Sequence, residues 1–338
     1  MLINMGARYD PCMHDMYIPG MVKPIAANMT ISWPCPNTTS LEDGAEHGVN
    51  CTLSTLCGFG GLPDENQNPN SHPNQWWRFI VPIFLHAGII HISFNLLLQL
   101  TLGRDIEKLI GSARFALVYF AAGIFGFVLG GNFAANGIAS CGCSGSLFGI
   151  LAITLLDLLY TWKQRTGPIK DLLFIMVDVL IAFVLGLLPG LDNFSHIGGF
   201  LMGLVLGVCV LRSPTTISRR TSTDYNSRRD RETGVVGFAR QPLTFFQNRR
   251  GVWWAFWLVR VAALVGALIG FILLLKNFYD WGTTCGWCKY LSCLPVTVNG
   301  QNWCDLGTLN FTSTNETTKH SKRALELVAE AFNPRDWL

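Results

Sequence analysis

Cys141-Gly142-Cys143-Ser144-Gly145-Ser146-Leu147-Phe148-Gly149 opens a long apolar run whose length and composition predict a membrane-spanning helix. Gly142 and Gly145 leave little side-chain bulk around the Ser144 hydroxyl, so a second backbone or a substrate can come close. Small residues alone signify packing, because they let membrane helices touch. A second stretch changes that reading. Asp192-Asn193-Phe194-Ser195-His196-Ile197-Gly198-Gly199 places a lone His at the start of another apolar run. An ionisable side chain at membrane depth is expensive and marks a functional candidate. A Ser and a His on neighbouring helices are the minimum parts of a base-activated nucleophile.

The composition agrees with a membrane protein. Half of the 338 residues are hydrophobic and only 14% are charged. The net charge of +3 is small, and no nucleic-acid partner is expected. The eleven Cys fall into three groups. Cys12, Cys35, Cys51 and Cys57 lie in an N-terminal polar segment, and Cys285, Cys288, Cys293 and Cys304 in a C-terminal one. Cys141, Cys143 and Cys209 lie in or beside apolar spans. Two sets of disulfides in an oxidising lumen are expected, although the Cys285-Gly-Trp-Cys288 spacing also suits zinc. N-glycosylation sequons at Asn28, Asn37, Asn50, Asn310 and Asn315 share these segments and favour the disulfide reading.

Along the chain, residues 1–75 are polar and rich in Pro, Gly and Asn, a loop-like segment without a span. Met1–Tyr9 has no apolar signal-peptide core. Trp76-Trp77-Arg78 reads as an interfacial anchor. Six spans follow by hydropathy: 79–102, 115–133, 144–162, 171–188, 196–211 and 253–275. The first carries His86, His91 and Asn95, with His91 and Asn95 on one helix face. No third ligand accompanies the two His, so no metal is expected. Asp178 is expected to face the bundle. Gly199, Gly203 and Gly207 repeat every four residues, a close-packing face. Residues 212–252 contain nine Arg against three acids and read as a basic linker able to touch anionic lipid. The tail ends in a short amphipathic stretch near Lys322 to Phe332.

Loops 103–114, 163–170 and 212–252 are basic and belong in the cytosol; the segments between them belong outside it. Ser144, His196 and His86 then lie at lumenal helix ends, with His91 and Asn95 one to two turns deeper. In a base-activated nucleophile His196 takes the Ser144 proton. His91, Asn95 and the Ser144 N–H are candidate oxyanion donors. Phe148, one turn beyond Ser144, can pack on the His196 ring. Apart from Asp192, no acid lies close to His196 in a third role, and a dyad is expected rather than a triad.

Four motifs in order make the sequence resemble the rhomboid intramembrane serine proteases, of the eukaryotic secretory, fungal-like type. They are Trp77-Arg78, His86-x4-His91-x3-Asn95, Gly142-Cys143-Ser144-Gly145 and Ser195-His196-Ile197-Gly198-Gly199. The resemblance implies an all-α polytopic membrane protein, a rhomboid-like bundle of about six transmembrane helices, five core and one C-terminal. It implies Ser144 as nucleophile and His196 as its base, with His91, Asn95, Gly142, Gly145 and Phe148 in support. His86, Trp77, Arg78, Glu107 and Gly199 would be structural, and the helix after residue 170 would gate substrate entry. The implied partners are transmembrane segments of membrane-protein substrates and the lipid bilayer; no cofactor is implied.

The corresponding layout is 1–75 lumenal segment, 76–212 catalytic core, 213–252 cytosolic linker, 253–276 extra helix and 277–338 lumenal tail. The location implied is the secretory pathway or plasma membrane. The family core has six helices before any added one, and five precede the linker here, so a first helix upstream of residue 1 is expected to be missing. Two other classes remain: a rhomboid-like client binder without activity, and a transporter. Both Ser144 and His196 are retained, against the first; no internal repeat or paired broken helices are visible, against the second.

Overall fold

The computed structural model describes residues 2–16, 30–32, 50–62, 72–134, 139–186, 192–211, 251–283, 285–288, 291, 297–298 and 301–302. The bulk of the expected basic linker, the amphipathic stretch near Lys322 and the sequons at Asn28, Asn37, Asn310 and Asn315 lie outside them.

Helices account for most of the described chain. A single turn, α1 (Leu53–Cys57), is capped by Thr52, whose hydroxyl accepts the Thr55 N–H at 3.2 Å. Then come α2 (Ile89–Leu98), α3 (Arg104–Ile110), α4 (Ser112–Phe133), α5 (Ser144–Thr161), α6 (Pro168–Leu185), α7 (Asn193–Val210) and α8 (Gly251–Lys276). Among the described residues, the strands are two short antiparallel ribbons, Thr30–Ser32 with Asn50–Thr52 and Thr297–Val298 with Gln301–Asn302.

Among the described residues, four helical stretches are long and apolar enough to cross a membrane: Ser112–Phe133, Ser144–Gln164, Asn193–Val210 and Trp254–Trp281. The expected single span over 79–102 is not one helix. Its first part is a pair of 3-10 turns, Trp76–Phe79 and Val81–Phe84. Pro82 has no N–H to donate, and Gly88 takes φ +94, a left-handed value that ends any continuous helix. The helix proper starts at Ile89 and passes through a π turn at Gln99–Gly103 into α3, absorbing much of the expected cytosolic loop. The fourth expected span is α6, whose 18 residues include Lys170, Asp171 and Asp178.

The centre is a triangle of α4, α5 and α7. Val118, Ala122, Ile150, Ile153, Met202 and Leu206 fill it. Where the helices cross, glycine faces glycine. A Cβ on Gly199 would lie 2.0 Å from the Gly145 carbonyl oxygen, and one on Gly203 2.4 Å from that of Gly149. A Cβ on Gly126 would lie 2.5 Å from the Ser195 carbonyl oxygen. The backbones therefore touch with no side chain between them, the packing open to small residues in a membrane.

The flanking helices are held differently. α6 packs on α5 through Leu172, Ile175 and Val179, which share one face. Asp178 is off that face and exposed, contrary to the expectation that it faces the bundle. From within α8, Arg260 donates to the carbonyls of Val208 at 2.9 Å and Leu211 at 2.7 Å, capping the negative end of α7. At the other end of α8, Asn277 bonds Asn132 of α4 at 2.8 Å.

The N-terminal segment is not merely loop. Ile3, Tyr9, Cys12, Leu53, Leu56, Cys57 and Leu62 form a small apolar core, closed by the Cys12–Cys57 disulfide. Arg78 is 0% exposed and does not reach toward an interface as an anchor would. Its guanidinium instead donates to Gln75 and to the carbonyls of Ile3, Ala7 and Cys57, so it joins this segment to the start of the bundle. Trp77 meets the edge of Phe59 beside it, ring centroids 4.6 Å apart. In the tail, Cys285 and Cys288 are bonded to each other.

Candidate active site

The ends of α4, α5, α7 and α8 that belong together by chain direction gather at one end of the bundle, beneath the N-terminal segment. There α5 starts at Ser144 and α7 at Asn193. The glycine contact one residue after Ser144 and three after His196 brings the two helix starts within reach. His196 Nε2 lies 2.8 Å from Ser144 Oγ. In this geometry the neutral imidazole accepts the hydroxyl proton at Nε2, which puts its own proton on Nδ1. Nδ1 is buried with no hydrogen-bond partner among the described residues. The ring is oriented from the side: Phe148 stacks on it at 4.6 Å between centroids and 8° between planes. Phe148 is four residues after Ser144, so α5 supplies both the hydroxyl and the ring that flanks its partner.

On the other side of Ser144, Gly142 has φ +119, a conformation that glycine adopts without strain. A Cβ there would sit 2.8 Å from His91 Nε2 and 3.8 Å from Asn95 Nδ2. His91 and Asn95, one turn apart on α2, therefore border the approach to Ser144. The His91 Nδ1 accepts the Ala87 N–H at 3.2 Å, which leaves Nε2 as the protonated, donating nitrogen. Asn95 Nδ2 is buried and without a partner among the described residues. The first N–H groups of α5 have no carbonyl one turn back, and Cys143 gives them no side-chain cap. These donors share one small region, the arrangement that stabilises a negative oxygen.

His86 is not on the helix that carries His91, as a continuous span would require. It lies in the turn before α2, its Nε2 3.5 Å from Cys143 Sγ and its ring edge-on to His91 at 5.1 Å. Gly145 lies at the contact with α7, where an added Cβ would sit 3.0 Å from the Ser195 carbonyl oxygen. Glu107 lies outside the site: it accepts the Ser112 hydroxyl proton at 2.6 Å and links the end of α3 to the start of α4. Asp192 does not touch His196. It caps α7 by accepting the Ser195 N–H at 3.2 Å and the Ser195 hydroxyl at 2.6 Å.

Arg8 and Asp10, which the sequence did not single out, join Asp192 beside this centre. Arg8 donates to Asp10 at 2.6 Å and to Asp192 at 3.2 Å, all three buried. Its backbone pairs with Ser140, four residues before Ser144, through two 2.9 Å bonds. Nothing in the local sequence singles out Arg8 within a polar segment. Its partner Asp192 is 184 residues away.

Residues 73–213 match the rhomboid domain model. The chain is 48% identical over 91% of its length to a protein of Emericella nidulans named Rhomboid-type serine protease 2. It is 31% identical to RHOMBOID-like protein 1 of Arabidopsis thaliana over 67% of its length, and 31% identical to human Inactive rhomboid protein 1 over 74%. The chain spans 63%, 55% and 25% of the lengths of these three relatives. The matched stretch takes in the helical triangle and both facing side chains at its end, and on these grounds the chain belongs to the rhomboid family.

Proposed function

We propose that this membrane protein is an intramembrane serine endopeptidase that cuts transmembrane segments of single-pass proteins near the lumenal side. The 2.8 Å approach of His196 Nε2 to Ser144 Oγ carries the reading. Ser144 Oγ attacks the scissile carbonyl carbon as His196 takes its proton. The carbonyl oxygen becomes an oxyanion beside His91 Nε2–H, Asn95 Nδ2 and the start of α5. The imidazolium then gives its proton to the departing amide nitrogen, and the C–N bond breaks. Water, deprotonated by His196, releases the acyl group and restores Ser144. The Phe148 face favours the imidazolium by cation–π attraction, in place of a carboxylate at Nδ1.

A substrate helix must unwind first, because its carbonyls are hydrogen-bonded within the segment. Spans weakened by Gly or Pro near the lumenal end are the preferred substrates. The Cys12–Cys57 disulfide supports work on the oxidising side of the secretory pathway or plasma membrane.

The test is cleavage of a model single-span substrate in membranes. Ser144→Ala and His196→Ala should each lower the rate by about 10³-fold or more, as loss of a nucleophile or its base does. Cleavage at an unaltered rate by Ser144→Ala would overturn the assignment, whereas a wild type that cuts none of several substrates would leave a client-binding role, a reading admitted by the relative named inactive.

A further inference from the structure

We propose that Arg8 is a positioning residue that sets His196 against Ser144. The proposal rests on the serine-protease reading of that pair and adds to it a part that lies outside the matched domain.

Ser144 and His196 stand at the starts of two helices that approach from different parts of the chain. Each start needs something to hold its height along the helix axis. Arg8 touches the chain just ahead of both. Its backbone N–H and C=O exchange 2.9 Å bonds with Ser140, one short stretch before Ser144. Its guanidinium reaches Asp192, the cap of α7 and one turn before His196. Asp10 takes another of its N–H groups at 2.6 Å.

The joint is tight. Arg8 is 0% exposed and Asp192 5%. A Cβ on Gly130 of α4 would lie 2.1 Å from Asp192 Oδ2, so the carboxylate is held between a helix backbone and the guanidinium. Removing one member of such a buried pair leaves the other charge uncompensated and shifts the backbone that carries it. A shift of about 1 Å in reacting groups costs about 10²-fold in rate.

The decisive variants are Arg8→Gln, Arg8→Lys and Asp192→Asn. Asn retains the oxygen that caps the Ser195 N–H but loses the charge that Arg8 binds, so it separates the link from the cap. Each purified full chain is assayed for thermal unfolding, for kcat and KM on a single-span substrate, and for the rate of Ser144 labelling by a small fluorophosphonate. Arg8→Gln and Asp192→Asn should lower kcat and the labelling rate by about tenfold or more per folded molecule, with KM within about twofold. Arg8→Lys should recover part of the loss, and the Arg8→Gln, Asp192→Asn pair should be no worse than either change alone.

Wild-type kcat and labelling in folded Asp192→Asn overturns the proposal, and this variant decides the matter even where Arg8→Gln does not fold. A loss that tracks only the folded fraction overturns it too, making Arg8 a structural residue. A wild-type chain that neither labels at Ser144 nor cuts overturns the protease reading itself.

Discussion

Phe148 and His196 show how much one aromatic ring can decide. The stack at 4.6 Å and 8° holds the plane of the imidazole, while the Ser144 hydrogen bond sets its direction. Aromatic pairs of this kind contribute about 0.5–1.5 kcal/mol beyond their burial. Phe148→Ala should therefore lower kcat up to about tenfold with KM little changed, while Phe148→Tyr should keep most of the activity. Steady-state kinetics on one substrate separates the two. Ser144, His196, His91 and Asn95 could be picked from the sequence because each is a polar residue in an apolar run, where it stands out. Phe148 could be picked because four residues is one helical turn. Arg8, Asp10 and Ser140 could not. They lie among polar neighbours, and their meaning comes from a contact across 184 positions.

At the scale of the elements, the seam between α5 and α7 has no slack. The Gly199 position leaves 2.0 Å between an added Cβ and a backbone oxygen, and backbone cannot swing aside as a long side chain would. Gly199→Ala should part the helices, lower stability by about 1–3 kcal/mol or more, and lower kcat because Ser144 and His196 ride on the two halves. Gly270→Ala on α8, where nothing lies within 4 Å, should do neither. Thermal unfolding with a cleavage assay on both variants checks this. The spacing of Gly199, Gly203 and Gly207 was legible as a packing face, since helical period maps directly onto contact. The first span was misread for the opposite reason. Its apolar length was continuous, but Pro82 and Gly88 interrupt the backbone, and hydropathy averages over such breaks. Asp178 was misread because only one narrow face of α6 meets α5.

At the scale of the whole molecule, the N-terminal segment and the bundle meet around buried charge. Burial pushes the Asp10 carboxyl up to about 7, against the pull of Arg8. A carboxyl raised from 3.8 binds its proton more tightly in the folded state, so its contribution is greatest below the unfolded value and is lost as pH rises through the folded one. The wild type should therefore lose stability between about pH 4 and 7 relative to Asp10→Asn, with no further divergence above that range. Melting curves of the two chains across this range measure it. The division into a polar segment and an apolar bundle was plain from composition alone. That the segment docks on the bundle through Arg8 and Arg78 was not, because composition carries no information on what docks where. One consequence belongs to the Cys12–Cys57 link. Arg78 grips the Cys57 carbonyl, and Arg8 lies four residues from Cys12, so the cross-link encloses the scaffold above the nucleophile. A newly made chain in reducing surroundings lacks that clasp. On the proposed protease reading, the scaffold over Ser144 is complete only after these two thiols have been oxidised.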